Sequence, residues 1–413
     1  MSISLVVLGA VFVLIAIRRI GQLQIQIWQS MFAGALVLLL SGEIGWIDAL
    51  EAIDLNVMIF LFAMFIVGQA LVDSGYLYYL AYKLFGRIYS VSHLVLGVLF
   101  GAALASALLM NDTLAIIGTP LVLRLSREHK INSQLLLLTL AYAITIGSVM
   151  SPIGNPQNLL IASVGGLASP FTVFFKALVV PTLINLLIAY LFLLRFYRSE
   201  FINATPLVHG PVTVLDEYLA KLARISVVLL LCLISVNIFL AHVQTTWHLE
   251  LAHIALLAAI PILLFSPDRL AFLRKLDWST LLFFASMFVL TASVWQSGAI
   301  QQLLMRIPLD LTDVPVIMGI SAALSQLISN VPLVALYLPV LGDLNSSQLM
   351  ALAAGSTIAG NCLILGAASN VIIVQHAEKH NATLVFFEFA RIGIPLSLLN
   401  LLVYWLWFRY GFN

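Results

Sequence analysis

Four short polar stretches interrupt otherwise apolar blocks of this chain: Asn111-Asp112-Thr113, Ser329-Asn330, Gly154-Asn155-Pro156-Gln157-Asn158 and Gly366-Ala367-Ala368-Ser369-Asn370. Polar groups at such depth are costly unless satisfied, and so mark a functional site by default. Their types suit ions: Asn and Ser oxygens and unwound carbonyls ligate Na⁺, while free N–H groups at helix starts favour anions. Glycine loosens the backbone at both five-residue stretches, and Pro156 removes a donor. The plain alternative is a turn that satisfies its own backbone, or polar glue between helices.

The blocks around them must cross a membrane. The 413 residues are 62% hydrophobic and 9% charged, with a mean hydropathy of +1.08, against roughly 25% charged in soluble domains. Recurrent apolar blocks of about 16 to 25 residues, each long enough to span as a helix, predict an all-α polytopic protein crossed by helices and not by barrel strands. The net charge of +1, without a basic face, argues against a nucleic-acid partner. Ile3–Ile17 is followed by Arg18 and Arg19 and reads as a retained span, not a signal peptide. Cys232 and Cys362 lie in apolar runs, where a thiol acts as a small hydrophobe, and suggest neither disulfide nor metal. His93, His253 and His376 are too scattered to hold a metal.

Sliding the chain on itself exposes a repeat. Asp54–Gly75 matches Asp277–Gly298, with Phe60, Met64, Phe65 and Ser74 on Phe283, Met287, Phe288 and Ser297. Ser106, Asn111 and Pro120 fall on Ser325, Asn330 and Pro339, and Thr145, Ile146, Gly154 and Asn158 on Thr357, Ile358, Gly366 and Asn370. Each half reads as six apolar blocks: 3–17, 31–50, 55–72, 91–125, 134–168 and 171–194, then 222–243, 250–265, 279–297, 313–342, 348–376 and 384–408. The fourth block is too long for one span and fits a re-entrant hairpin; the fifth fits a broken helix. Five true crossings per half is odd, so residues 1–200 and 201–413 form two inverted repeats joined by a cytoplasmic link at 199–220. With the N-terminus outside, Arg18, Arg19, Lys83, Arg87, Arg124, Arg127, Lys130, Arg195, Arg198, Lys221, Arg224, Arg269, Arg274 and Lys275 fall inside, and Glu43, Asp48, Glu51 and Asp54 outside. That is the positive-inside pattern, with Lys176, Arg306 and Arg409 as exceptions.

The hairpin Asn with Pro nine residues later, then Gly-x-x-x-Asn, twice over, resembles the ion transporter superfamily of divalent-anion/sodium symporters, arsenite permeases and NhaD-type antiporters. Asn111-Asp112-Thr113 with Ser151-Pro152-Ile153-Gly154-Asn155-Pro156-Gln157-Asn158 looks most like its bacterial anion-permease branch. The resemblance implies a homodimer in the inner membrane whose hairpins and broken helices move as an elevator. It implies one cation site at Ser106, Asn111 and Gly154, a second at Ser325, Asn330 and Gly366, and a small anionic substrate between the tips. The substrate residues expected are Asn111, Asp112, Thr113, Asn155, Asn158, Ser329, Asn330, Ser369 and Asn370, with Na⁺ as the one bound ion and no other cofactor.

The chain departs from the dicarboxylate symporters, whose tips read Ser-Asn-Thr: here they read Met110-Asn111-Asp112 and Ser329-Asn330-Val331. Carboxylate-gripping hydroxyls are missing, which speaks against a dicarboxylate. A buried carboxylate keeps its charge only beside a cation and otherwise takes up a proton, so Asp112 is expected to couple transport to H⁺ or Na⁺, or else to cap the second hairpin arm. Glu388 and Arg391, with Lys176 aligned to Glu388, form either a gate or snorkelling interfacial residues. The expectation is a coupled anion transporter, with Na⁺/H⁺ antiport or metalloid oxyanion efflux as close alternatives. A membrane enzyme would need a His-Glu-x-x-His or G-x-S-x-G motif, or a second Asp where Val331 stands, and the sequence has none. A channel would need neither polar hairpin.

Overall fold

A computed structural model describes residues 3–17, 19–20, 23–85, 90–167, 169–202, 214–243, 249–267, 269–298, 310–328, 330–342, 344–380 and 382–411. The helices are α1 (Ile3–Ile17), α2 (Ile27–Leu40), α3 (Trp46–Glu51), α4 (Leu55–Asp73), α5 (Tyr76–Phe85), α6 (Val91–Leu109), α7 (Asn111–His129), α8 (Ser133–Ser148), α9 (Pro156–Val164) and α10 (Pro170–Phe196). They continue as α11 (Arg198–Ile202), α12 (Glu217–His242), α13 (Leu251–Phe265), α14 (Arg269–Lys275), α15 (Trp278–Gln296), α16 (Val314–Ile328), α17 (Asn330–Leu341), α18 (Ser346–Ile358), α19 (Ala368–Lys379) and α20 (Phe386–Tyr410). A two-stranded antiparallel ribbon, Arg19–Ile20 with Leu23–Gln24, joins α1 to α2. Among the described residues, α4, α6, α10, α15, α20 and Glu217–Leu240 of α12 are long and apolar enough to cross a bilayer.

Matched residues start and stop matched helices. Asp54 accepts a hydrogen bond from Val57 N at the start of α4, and Asp277 one from Thr280 N at the start of α15. Such caps satisfy N–H groups that a helix start leaves free. Both helices end at a serine followed by a glycine with positive φ, Gly75 at +70° and Gly298 at +67°, a backbone state that costs glycine no Cβ clash.

The first hairpin turns sharply. Met110 alone separates α6 from α7, at φ 69° and ψ 140°, a left-handed φ that non-glycine residues seldom hold. Each fifth block breaks: α8 and α9 are parted at 149–155, whereas α18 passes through two 3₁₀ turns, Ala359–Asn361 and Ile364–Gly366, before α19. The second block of the first half also divides, into α2 and the short α3, whose Trp46, Ile47 and Leu50 are exposed. Cys232 is exposed on its span and not buried. Helices α1, α2, α4, α12, α13 and α15 pack mainly on one another, and the hairpins and broken helices pack with α10 and α20. Across the halves, α9 lies against α17 and α19 against α7.

Glycine brings the hairpin arms close to the broken helices. A Cβ on Gly147 of α8 would lie 2.3 Å from Ala103 Cα of α6, and one on Gly355 of α18 would lie 2.9 Å from Met318 Cα of α16. Small residues at helix contacts in membranes let backbones approach in this way. Gly147→Ala therefore overpacks the α6–α8 contact and costs about 1–3 kcal/mol, read as a lower midpoint of thermal unfolding in detergent. Gly9→Ala, with nothing within 4 Å of its Cβ, leaves the midpoint unchanged. Equal midpoints for both variants would contradict this packing.

Candidate functional site

The first hairpin is pinned to the first break. Asn111 N donates to Gly154 O at 2.9 Å, and a Cβ on Gly154 would meet Ser148 O at 2.4 Å, so only glycine fits there. Ser106 Oγ donates to Ile144 O at 2.7 Å. The break itself is held by amides. Asn155 Oδ1 caps α9 by accepting from Asn158 N at 2.8 Å, while its Nδ2 donates to Ser148 Oγ at 2.9 Å and Thr357 Oγ1 at 3.3 Å. Asn158 Nδ2 lies within 3.0–3.2 Å of three carbonyls, those of Ser148, Val149 and Ser151. Gln157 Nε2 donates to Thr357 Oγ1 at 3.2 Å, and Thr357 Oγ1 donates to Asn158 Oδ1 at 3.4 Å. One threonine of the second half thus ties down the break of the first.

The second break keeps the scaffold of this arrangement but not its closure. Asn370 Nδ2 donates to Gly360 O at 2.6 Å, and Gln326 Nε2 to Ala359 O at 2.6 Å. The Asn330 amide nitrogen, oriented by the carbonyls that face it, donates to Gly366 O at 2.9 Å and Ser356 O at 3.0 Å. Ala367 and Ser369 stand where the first half has Asn155 and Gln157, so the tie to the opposite threonine is missing. Ser321 Oγ, Ser325 Oγ, Gln326 Oε1, Ser369 Oγ, Asn370 Oδ1 and both polar atoms of Asn361 are buried without a protein partner, as are Asn111 Oδ1 and Thr145 Oγ1. Hydroxyl and amide oxygens beside unwound backbone are the donors that coordinate Na⁺ in transporters with broken helices.

A cavity of about 460 Å³ reaches the middle of this assembly. Its wall includes Asp112, Val331, Pro156 and Ala368, from the first turns of α7, α17, α9 and α19. Four helix N-termini therefore meet at one space, each with the positive end of its dipole toward it. The mouth carries Trp28, Asp277, Phe283 and Glu378, so among the described residues three carboxylates and no basic side chain line the cavity. Asp277 accepts from Ser279 Oγ and Thr280 Oγ1, each at 2.5 Å, as well as from the α15 backbone. Asp112 makes no hydrogen bond among the described residues, and no side chain caps α7.

Among the described residues expected from sequence, Asp112 alone lines the cavity. Asn111, Asn155, Asn158, Asn330, Ser369 and Asn370 are buried behind its wall, and the side-chain amides of Asn155 and Asn158 are spent on the break. Thr113 packs on Gly68 of α4, where a Cβ would lie 2.7 Å from Thr113 Cγ2. Ser329 lies outside the described residues. Glu388 and Arg391 do not pair: Glu388 accepts from Tyr197 Oη, and Arg391 stacks 5.3 Å from the centre of the Phe196 ring. Sequence reasoning passed over Thr357, Gln326 and Asn361, though Thr357 was visible as the mate of Thr145. No cluster of three or more His, Cys, Asp or Glu suited to a metal occurs among the described residues.

Asn158→Ala strands three buried carbonyls and lowers stability by about 1–3 kcal/mol, measured by thermal unfolding. Thr357→Val loses the hydroxyl that gathers the first break and is destabilised likewise, while Thr357→Ser keeps near-native stability. A Thr357→Val protein as stable as the unaltered one would show that this tie is dispensable.

Comparison with known proteins gives the arrangement a context. The chain is 28% identical over 433 residues to an uncharacterized transporter of Mycobacterium tuberculosis, covering 99% of this chain and 98% of that protein. A P protein of Homo sapiens is 24% identical over 492 residues, covering 97% of this chain and 58% of its own length. The Alcanivorax borkumensis YdaH transporter superposes with a TM-score of 0.57 at 16% identity, over 99% of this chain and 97% of that one, a likeness of fold. The model of the family described as "Citrate transporter" matches residues 12–348, and with most of its length inside that match this chain belongs to the citrate transporter family and is a multi-pass membrane transporter.

Proposed function

We propose that this transporter is secondary active, moving a small anion coupled to H⁺ or Na⁺ across the inner membrane. The observation that carries this reading is the convergence of four helix N-termini on one cavity, an arrangement that stabilises an anion through backbone N–H groups. The cavity's three carboxylates require that the anion be accompanied: a cation bound at Asp112, or a proton on it, offsets the repulsion. The oxygens without partners at the second break supply a place for Na⁺. At the first break the amides of Asn155, Gln157 and Asn158 are used in closing it, and fewer oxygens, Asn111 Oδ1 and Thr145 Oγ1, are left without partners.

Two inverted repeats are supported by the recurrence of capped helix, hairpin and broken helix in one order. An N-terminus outside agrees with Ser4 bonding to Glu43 and Ser293, and with Lys275 pairing with Asp73 at the other helix ends. In that orientation the cavity opens to the cytoplasm. Elevator movement is supported by the division of the helices into two packed groups, and we carry the homodimer as part of the same reading.

Reconstituted in liposomes, the protein should show saturable counterflow of one member of an anion panel that includes citrate and arsenite, driven by a pH or Na⁺ gradient. Asp112→Asn should abolish dependence on one of those gradients while Ser325→Ala weakens the response to Na⁺. Full ion dependence in Asp112→Asn would remove Asp112 from coupling, and non-saturable flux would mean a channel. The acid-lined mouth favours cation/proton antiport as the second reading. That reading is distinguished by Na⁺/H⁺ exchange that proceeds without any anion of the panel.

A further inference from the structure

Away from the cavity, α10 and α20 meet through a neutral polar patch. Thr182 and Asn185 on α10, and Asn400 and Tyr404 on α20, are each 0% exposed, and their spacing of three and four residues places each pair on one helix face. Thr182 Oγ1 and Tyr404 Oη lie 2.6 Å apart, and Asn185 Nδ2 donates to Asn400 O at 3.3 Å. Three atoms remain without a protein partner: Asn185 Oδ1, Asn400 Oδ1 and Asn400 Nδ2. Pro181 and Pro395, a turn before the two asparagines, each remove one backbone hydrogen bond nearby.

Buried polar atoms in native proteins are almost always bonded, and those that lack a protein partner point to ordered water or an ion. The chemistry of these three selects between them. A cation would satisfy the two amide oxygens but face the hydrogens of Asn400 Nδ2, and an anion would do the reverse. Water donates and accepts at once, and a buried water makes about three such bonds. We infer that the joint between α10 and α20 is a water-binding site, in which ordered water bridges the Asn185 and Asn400 amides beside the Thr182–Tyr404 hydroxyl pair. The contact between these two spans is then hydrated at its centre, with Leu186 and Leu396 buried in the apolar core around it. Hydrogen bonds through water exchange partners readily, so the joint tolerates small relative shifts that a direct amide–amide bond would resist.

Radiolytic hydroxyl-radical labelling of the purified full chain tests this, because water bound beside a side chain is converted to the oxidant in place. Tyr142 serves as the internal reference: it is also 0% exposed, but its hydroxyl donates to Phe389 O within the protein. Tyr404 is expected to be oxidised several-fold faster than Tyr142, and Asn400→Leu should bring it down to the Tyr142 rate. Equal rates for the two tyrosines in the unaltered protein overturn the inference, whether or not the variant folds. Undiminished labelling of Tyr404 in a folded Asn400→Leu protein overturns it as well.

Discussion

A helix broken inside a bilayer must recover its lost backbone hydrogen bonds from the protein, since lipid offers none. In this transporter that requirement is met by asparagine. Asn158 serves three carbonyls of the first break, Asn370 and Asn330 serve the second, and the backbone of Asn111 pins the first hairpin tip to Gly154. Without these bonds the helix starts that surround the cavity would have no fixed direction. The close α6–α8 and α16–α18 contacts then hold each hairpin against the break it serves.

The halves satisfy this constraint to different degrees. The first break is closed by Asn155, Gln157 and Asn158 with Thr357; the second has Ala367 and Ser369 at the corresponding places and leaves oxygens unmatched. Charge runs the other way, with Asp112 on the first hairpin and Val331 on the second. A more fully bonded wall bearing a carboxylate thus faces a wall with more buried oxygens left without partners. This is a division of labour that two identical halves could not provide.

Much of this was legible in the sequence. Block lengths, the matched segments Asp54–Gly75 and Asp277–Gly298 and the paired Asn–Pro spacings gave the hairpins and breaks their positions, because helix ends and interruptions in lipid depend on few residue types. The direction of each side chain was not legible. Asn155 and Asn158 look identical in kind to ligands, and only the fold shows that their amides are used up, by hydroxyls and a backbone N–H at Asn155 and by carbonyls and a hydroxyl at Asn158. Asp277 marks the start of a matched segment in the sequence, and only the structure shows it both capping α15 and lining the cavity. Glu388 and Arg391, adjacent on one face, chose Tyr197 and Phe196 on another helix over each other.

The crossed packing of α9 on α17 and of α19 on α7 bears on how the protein is made. The short helix after each break is covered by the hairpin arm of the opposite half, so the first half emerges from the ribosome before the surface that shelters α9 exists. Until residues beyond Asn330 have been inserted, its amide-lined break must be shielded by lipid headgroups, water or the insertion machinery. The packing around α9 is therefore complete only after α17 has been made.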